Sequence, residues 1–242
     1  AFGVEAQLMT SRGCPYKCYF CCGGHTWQTL RFFSEAWVVK QMKAFANCGV
    51  THLSIYDDVF ALNKSRLRRI GDMMRAEGLH ERMELYCNGK ANAIDNEILD
   101  LLERMNVRRI FFGFESGNDA HLAKLKVGKV TVEMNKRAID LCVGRGFKVF
   151  GNVIFGSPGE TLSQMEDTIS FIKWAKAHGV SRMLMSVMTP YPGTPVWLDG
   201  VKMGRVSETM NWDELMINAE QSGFRGFVVD PSINEEQFAA MV

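Results

Sequence analysis

The sequence predicts an α/β protein with a parallel sheet, because six short apolar runs alternate with five amphipathic helical patterns. The runs are nearly continuous in apolar residues, which indicates strands buried on both faces by right-handed crossover helices. An open doubly wound sheet and a barrel both satisfy this pattern, and in both of them ligands bind at the carboxyl ends of the strands. The predicted strands are Glu5–Thr10, His52–Tyr56, Met83–Cys87, Arg109–Phe114, Lys148–Phe155 and Met183–Met188.

Each predicted helix begins at a residue whose side chain can accept a hydrogen bond from the first turn. Thr161 and Gln164 have the spacing of a capping box. After Met188 the pattern loosens into a Pro- and Gly-rich loop, Thr189–Pro195, and helices are expected again near Asn211–Ala219 and Ile233–Val242. The predicted capping residues are Ser34, Asn63, Asp95, Thr131 and Thr161.

The composition is that of an ordinary globular protein, with 47% hydrophobic and 23% charged residues in a chain of 242. The formal net charge is only +1, so no global field attracts nucleic acid or an anionic membrane. The longest apolar runs are far shorter than the ~20 residues that span a bilayer. The charge and the short apolar runs therefore favour neither a membrane partner nor a nucleic-acid partner. No secretion signal opens the chain, so we expect a cytoplasmic protein.

Four of the seven cysteines lie in one short stretch directly after the first strand. Cys14, Cys18 and Cys21 have the spacing CxxxCxxC, and thiolates spaced in this way bind zinc or an iron–sulfur cluster. A zinc knuckle would need a fourth ligand, for which Cys22 and His25 are available. Three ligands on a four-iron cluster leave one iron open, which favours the cluster. We interpret the scattered Cys48, Cys87 and Cys142 as small buried hydrophobic residues.

The cysteine motif and its position resemble those of the radical S-adenosylmethionine (radical SAM) superfamily. The resemblance implies a partial (β/α)6 TIM-like barrel with parallel strands, in which Cys14, Cys18 and Cys21 hold a 4Fe–4S cluster. In that superfamily, the amino and carboxylate groups of SAM bind the open iron, and one electron from the cluster releases a 5′-deoxyadenosyl radical. The resemblance assigns no catalytic residue beyond the cluster ligands, and it implies an electron donor such as flavodoxin or ferredoxin.

Residues at the other strand ends are similar to SAM contacts of the superfamily. Asp57 and Asp58 occupy the position that accepts the SAM ammonium, and a helix cap is the alternative for one of them. Glu115 matches a residue that reaches the ribose or methionine part of SAM. Lys126 and Lys129 are interpreted as solvated surface lysines. Ile154 matches a residue that packs on the adenine, with core packing as the alternative, and Phe20 matches a position whose backbone meets the adenine. Asn152 shares the face of Ile154 and is expected to contact the same cofactor.

Several segments together resemble the cobalamin-binding branch of the superfamily, which includes methyltransferases and radical cyclases. In that branch the cobalamin lies on a separate preceding domain, and both ends of this chain read as cut from something longer. We therefore expect residues 1–195 to form the radical SAM core and residues 196–242 to form a helical extension packed on it. The segments that carry this resemblance are Tyr56-Asp57-Asp58, Gly113–Gly117, Pro158-Gly159-Glu160 and Tyr191-Pro192-Gly193-Thr194.

Two other functions stay open on the sequence alone. A transfer-RNA methylthiotransferase is similar in its core, although the balanced charge of this chain gives it no support. A non-catalytic iron–sulfur or zinc-binding module would use the same cysteines without cleaving SAM. The sequence does not specify the substrate, whether small molecule or peptide.

Overall fold

The computed structural model describes residues 4–27, 29–127, 129–215 and 230. The described residues form eight strands, nine α-helices and two short 3-10 helices, Ala91–Ala93 and Trp212–Leu215. All six predicted strands and all five predicted amphipathic helices are among them. The strands are β1 (Val4–Leu8), β2 (Ser11–Arg12), β3 (Arg31–Phe32), β4 (Val50–Ile55), β5 (Glu84–Gly89), β6 (Val107–Glu115), β7 (Lys148–Phe155) and β8 (Arg182–Val187). The helices are α1 (Gly23–Thr26), α2 (Glu35–Asn47), α3 (Lys64–Ala76), α4 (Leu79–Arg82), α5 (Asn96–Arg104), α6 (Asp119–Leu125), α7 (Val132–Gly144), α8 (Leu162–Ala177) and α9 (Pro195–Lys202).

Six parallel strands form one curled sheet, a half-barrel in which each strand pairs with its neighbour along the chain. The order from edge to edge is β1-β4-β5-β6-β7-β8, and β2 pairs with β3 in a separate antiparallel ribbon. This arrangement confirms the predicted partial TIM-like barrel. Because all six strands run the same way, their carboxyl ends lie along one rim of the sheet.

All five predicted capping residues accept a hydrogen bond from the backbone N–H three residues on. Thr161 and Gln164 form the predicted capping box. Such a cap typically contributes about 1 kcal/mol, so each of these residues fixes where its helix begins. The sequence patterns do not predict α6, which has only seven residues. They also miss α9, which begins at Pro195 inside the loop-like Pro- and Gly-rich segment.

The first predicted strand, Glu5–Thr10, ends earlier in the structure, at Leu8. The chain turns there because the Asp57 carboxylate accepts the backbone N–H groups of Thr10 and Ser11. In the opposite sense, β6 is longer than predicted and includes Glu115. Both changes occur at the carboxyl rim of the sheet, where polar side chains replace regular strand pairing.

The outer face of the sheet packs against the helices and forms the main hydrophobic core. Leu53, Leu85, Ile110 and Val149 come from four adjacent strands and are fully buried in this core. Alternate residues point to the concave inner face, which carries polar and aromatic side chains. The helices cover one face of the sheet and leave the other free for a site.

Two of the three scattered cysteines are buried as predicted, and burial raises the pKa of Cys142 to about 12. Cys48 is exposed instead, because it ends α2 at the surface. None of the described helices has the length and apolar content that crossing a membrane requires. The helices expected near Asn211–Ala219 and Ile233–Val242 lie largely or wholly outside the described residues, so the 196–242 extension stays a prediction.

Candidate active site

The cysteine loop connects β2 to β3 beside the carboxyl rim of the sheet. Cys14, Cys18 and Cys21 are partly buried, whereas Cys22 is exposed. The loop begins at Gly13, whose φ of +89° favours glycine. The three motif cysteines are thus less exposed than the neighbouring Cys22.

Close backbone packing holds the cysteine loop in shape. A Cβ atom on Gly24 would overlap the carbonyl oxygen of Tyr16, so only glycine fits there. The backbone of Tyr19 donates to Leu125 and accepts from Val196, which ties the loop to α6 and α9. The Tyr19 hydroxyl donates to Asp199 Oδ2 at 2.8 Å. The loop is thus fixed on both sides by helices that the sequence patterns miss.

The surroundings of the sulfur atoms suit anionic ligands of a metal centre. Burial raises the pKa of Cys14, and the backbone N–H of Tyr16 offsets part of this rise. Burial also raises the pKa of Cys21, and the N–H groups of Gly23 and Gly24 offset part of it. These N–H groups stabilise thiolates, but burial still favours the thiols until a cation is present.

Lys90 brings a cation to the cysteine loop, although no sequence motif indicates it. It follows β5 directly, donates from Nζ to the carbonyl oxygen of Val127 at 2.6 Å, and lies 3.1 Å from the centre of the Tyr16 ring. Burial lowers its pKa to about 8, while the charges of Cys18 and Cys14 act in the opposite direction. Its position just after a strand is the same signal that identifies the other rim residues.

The cysteine loop does not have the geometry of a zinc knuckle. Among the residues that the structure describes, no three His, Cys, Asp or Glu side chains are close enough to hold one metal ion. Nε2 of His25 lies 3.2 Å from the Cys18 carbonyl oxygen, so this ring takes part in a loop hydrogen bond. A multi-iron cluster is larger than a single ion and takes thiolates that stand further apart. The donor set fits the cluster better.

The two predicted aspartates have opposite environments. Asp57 is 1% exposed, and its carboxylate accepts two backbone N–H groups and two hydroxyl groups from Thr10 and Ser11. These four hydrogen bonds engage the Asp57 carboxylate in holding the connection between β1 and β2. Asp58 is exposed and lies beside the cysteine loop, 3.4 Å from the position of a Cβ on Gly23. Partial desolvation by the neighbouring loop, followed by the charge of Asp57, raises the pKa of Asp58. Only Asp58 remains available to a ligand.

Glu115 ends β6 and is buried, and the interpretation of Lys126 as a solvated lysine is wrong. The Lys126 ammonium lies 3.4 Å from Glu115 Oε1 and also donates to the carbonyl oxygen of Gly113. Burial raises the pKa of Glu115, and Lys126 and the Asn152 amide offset part of this rise. A Cβ atom on Gly113 would overlap the Glu115 carboxylate, which explains the glycine. Lys129 is exposed as expected.

Three predicted adenosine contacts line one cavity of about 160 Å³. Phe20 comes from the cysteine loop, and Asn152 and Ile154 come from the concave face of β7. Ser186 donates to Asn152 Oδ1 at 3.0 Å, which fixes the orientation of the amide. Tyr191, from the Pro- and Gly-rich loop, closes the cavity. Residues far apart in sequence therefore meet beside the cysteine loop.

A buried network joins the rim loops after β6 and β7. His121 Nδ1 lies 3.1 Å from Glu160 Oε1, and Nε2 contacts the Ser157 hydroxyl. Glu160 Oε2 accepts the backbone N–H groups of Gly156 and Ser157. Ser116 lies 3.3 Å from the same histidine ring. The network fixes the position of the loop after Glu115 relative to the loop after Ile154. No sequence motif indicates His121.

Comparisons with known proteins identify relatives of this chain. An uncharacterized methyltransferase of Pyrococcus horikoshii is 29% identical over 216 residues, which cover 87% of this chain and 44% of that protein. A putative methylthiotransferase of Methanocaldococcus jannaschii is 28% identical over 210 residues, which cover 79% of this chain and 43% of that protein. The chain thus spans less than half the length of these relatives.

A solved structure shares the fold. It is the radical SAM methyltransferase TsrM from Kitasatospora setae with cobalamin and a [4Fe–4S] cluster bound, and it superposes with a TM-score of 0.74 at 22% identity. The match covers 84% of this chain and 38% of that one. The sequence pattern of the radical SAM superfamily matches residues 8–172, more than half of the chain. Together with the half-barrel and its cysteine loop, this match shows that the chain belongs to the radical SAM superfamily of enzymes.

Proposed function

We propose that Cys14, Cys18 and Cys21 hold a 4Fe–4S cluster and that the chain binds SAM and cleaves it reductively. The observation that carries the proposal is the meeting of the cysteine loop with the cavity lined by Phe20, Asn152 and Ile154. This cavity adjoins the loop that supplies the thiolates, so one cofactor can reach both.

The donors of the cysteine loop fit the cluster. Three partly buried thiols share one loop, with N–H groups directed at two of the sulfur atoms and the Lys90 cation beside them. Three thiolates leave one iron of a cubane without a protein ligand. When bound, this cluster supplies the electron that splits the SAM sulfonium and releases the 5′-deoxyadenosyl radical.

The residues of this chain orient SAM and exclude water from it. The Asp58 carboxylate accepts a hydrogen bond from the SAM ammonium at the edge of the cysteine loop. Ile154 packs against the adenine, and Phe20 covers it from the loop side. Glu115, fixed by Lys126, offers Oε2 to a SAM hydroxyl or amine, because this atom is buried with no partner among the described residues. Asp57 keeps the start of the loop in place.

In its full-length context, we propose that the core serves a cobalamin-dependent methyltransferase. The similarity to the Pyrococcus horikoshii methyltransferase supports methyl transfer, and the shared fold with TsrM supports the cobalamin branch. The described strands all belong to the half-barrel or to the β2–β3 ribbon, so the described residues contain no second α/β layer for cobalamin. We expect titration of the 242-residue chain with hydroxocobalamin to show no stoichiometric micromolar binding. Such binding would contradict a separate cobalamin domain.

Methylthio transfer is the second candidate function, supported by the 28% identity to the putative methylthiotransferase. The two functions differ in their need for cobalamin. If the full-length protein transfers a methyl group only when cobalamin is supplied, the methyltransferase assignment holds. A product that carries a methylthio group would establish the second function instead.

An acidic one-electron donor, such as a flavodoxin or ferredoxin, fits the outer side of the cysteine loop. Arg12 and Arg31 are exposed and directly opposite each other in the β2–β3 ribbon, where like charges repel. Neither forms a salt bridge with a described residue; their guanidinium groups lie over the Phe33 and Trp27 rings. We expect Arg12→Glu to slow electron transfer from flavodoxin but not from dithionite.

The experiment for the proposed function is anaerobic reconstitution followed by metal analysis and electron paramagnetic resonance. The parent protein should hold about four irons per chain, and SAM should change the spectrum of the reduced cluster. Cys22→Ala is the matched control, because this neighbouring thiol lies outside the motif, and it should keep both properties. Stoichiometric zinc without iron would establish the metal-binding module instead.

A further inference from the structure

A second cavity, of about 290 Å³, lies on the concave face of the half-barrel. It belongs to no part of the cluster or SAM site described above. Its size is near the lower end of the range for small-molecule pockets. The lining side chains that matter here are Ser54, Tyr86, Asn88, Arg109, Phe111 and Phe150.

The second cavity is on the same face as the SAM site and further from the carboxyl rim. Side chains two apart on a strand share a face, so Phe150 points the same way as Asn152 and Ile154. Arg109 and Phe111 likewise share the face of Gly113. At ~3.3 Å per residue, Phe150 is about 7 Å from Asn152 along β7. A molecule in this cavity would extend towards the SAM site.

Arg109 is the cation of this cavity. Its guanidinium carbon lies 4.0 Å from the centre of the Tyr86 ring and 4.5 Å from the centre of the Phe150 ring. Both aromatic rings present a face to the guanidinium group, and neither ring is a conventional acceptor for its N–H donors. These contacts hold the Arg109 side chain without supplying hydrogen-bond acceptors.

Arg109 forms no salt bridge with any described residue, and its Nε is buried without a hydrogen-bond partner. Glu5 and Glu84 lie near enough to act on the Tyr86 hydroxyl, but neither pairs with Arg109. Leaving a buried donor unsatisfied is unfavourable, so the arrangement suits an acceptor that comes from outside the described chain. A planar fork of donors matches an oxyanion with two acceptor oxygens.

We propose that Arg109 anchors an anionic group, a carboxylate or a phosphate, of the substrate. Phe111 and Phe150 then contact an apolar part of the same molecule, and its reacting carbon lies towards Asn152. The proposal rests on the proposed function for the reaction that follows binding. The binding itself requires neither the cluster nor SAM. The substrate class is thus an apolar organic oxyanion that enters the half-barrel.

The test uses three probes on the anaerobically reconstituted protein, with binding followed by nuclear magnetic resonance titration. Phenylacetate and phenyl phosphate present the two oxyanions on the same apolar ring, and phenylacetamide is the neutral counterpart. Arg109→Gln should weaken oxyanion binding about tenfold or more, since it removes hydrogen bonds to a charged group. Arg109→Lys keeps the charge but loses the fork, and it should fall between the parent and Arg109→Gln.

Arg108→Gln is the matched control, because Arg108 is exposed on the same strand and does not line the cavity. It should bind the probes as the parent does. If Arg109→Gln does not fold, the comparison of Arg109→Lys with the parent decides the matter. The stronger-binding oxyanion identifies the group as carboxylate or phosphate.

Three results would overturn the inference. They are equal oxyanion binding by the parent and Arg109→Gln, equal binding of phenylacetamide and the oxyanions, and no oxyanion binding by the folded parent at millimolar concentration. The first would show that Arg109 only joins the strands through its two rings. If the parent takes up no iron on reconstitution but still shows Arg109-dependent oxyanion binding, the cluster proposal fails and the present inference stands.

Discussion

Nζ of Lys126 lies 3.4 Å from Oε1 of Glu115, and both side chains are less than one-tenth exposed. The φ of Glu115 is +67°, a conformation that L-residues rarely adopt. Its Oε2 has no hydrogen-bond partner among the described residues. A buried ion pair, a strained backbone and an unsatisfied oxygen together are unfavourable for stability, which is typical of a functional position.

Lys126→Met should lower the free energy of unfolding by about 3–5 kcal/mol, because it leaves the Glu115 carboxylate buried without its cation. Burial raises the pKa of Glu115 in the folded chain, and loss of the Lys126 cation should raise it further. Protonation of Glu115 removes the buried charge, so the stability deficit should shrink as pH falls through the folded pKa of the variant. Urea denaturation over a pH series measures this, and a double variant with Glu115→Gln should recover most of the loss. A deficit that is independent of pH would contradict the pairing.

The neighbouring Asp57 and Asp58 should separate stability from SAM binding. Asp57→Ala leaves two buried backbone N–H groups without an acceptor, at about 1–3 kcal/mol each, and should lower the thermal midpoint. Asp58→Ala should leave the midpoint unchanged and weaken SAM binding about tenfold. Thermal melts and equilibrium dialysis with labelled SAM measure both. Unchanged SAM affinity in Asp58→Ala would remove the ammonium assignment.

Gly24→Ala should prevent the protein from holding iron. A Cβ atom there would overlap the Tyr16 carbonyl oxygen, so the cysteine loop must open. Gly144→Ala is the matched control, because a Cβ on Gly144 meets nothing within 4 Å. Iron per chain after anaerobic reconstitution is the measurement. Parent levels of iron in Gly24→Ala would show that the loop binds metal in another conformation.

Lys90→Met should make the cluster harder to reduce. The ammonium lies beside Cys14 and Cys18, and a nearby cation favours the more negative, reduced state of the centre. Lys17→Met, which removes an exposed cation from the same loop, should have a smaller effect because water screens it. A redox titration followed by electron paramagnetic resonance compares the midpoint potentials. Equal potentials in Lys90→Met and the parent would refute the role of this cation.

The fold was predictable because its signals are local. The apolar periodicity and the capping residues, such as Ser34 and Thr161, act within one or two helical turns. The apolar periodicity does not predict α9, because Pro195 and the nearby Gly193 are typical of a loop. Proline is nevertheless favourable in the first turn of a helix. The curvature of the barrel could be predicted only from the family resemblance, because the apolar periodicity of the strands is the same in an open sheet.

The candidate site was predictable only in part, because burial and pairing depend on contacts distant in sequence. The position of Glu115 at the end of a strand identified it as a candidate site residue. Lys126 has the sequence context of a surface lysine, and only the fold brings it against the Glu115 carboxylate. Asp57 and Asp58 are equivalent in sequence, and only the contacts of Thr10 and Ser11 distinguish them. His121 lies in a short helix and reaches its partners across two loops, so no motif marks it.

Reductive cleavage of SAM is tested by the amount of 5′-deoxyadenosine formed when the reconstituted protein is reduced with dithionite. The parent and Cys22→Ala should form it. Cys14→Ala, Cys18→Ala and Cys21→Ala should each form none, because all three thiolates are needed to hold the cluster. Full 5′-deoxyadenosine formation by Cys18→Ala, or none by an iron-loaded parent, would show that these cysteines do not hold a SAM-cleaving cluster.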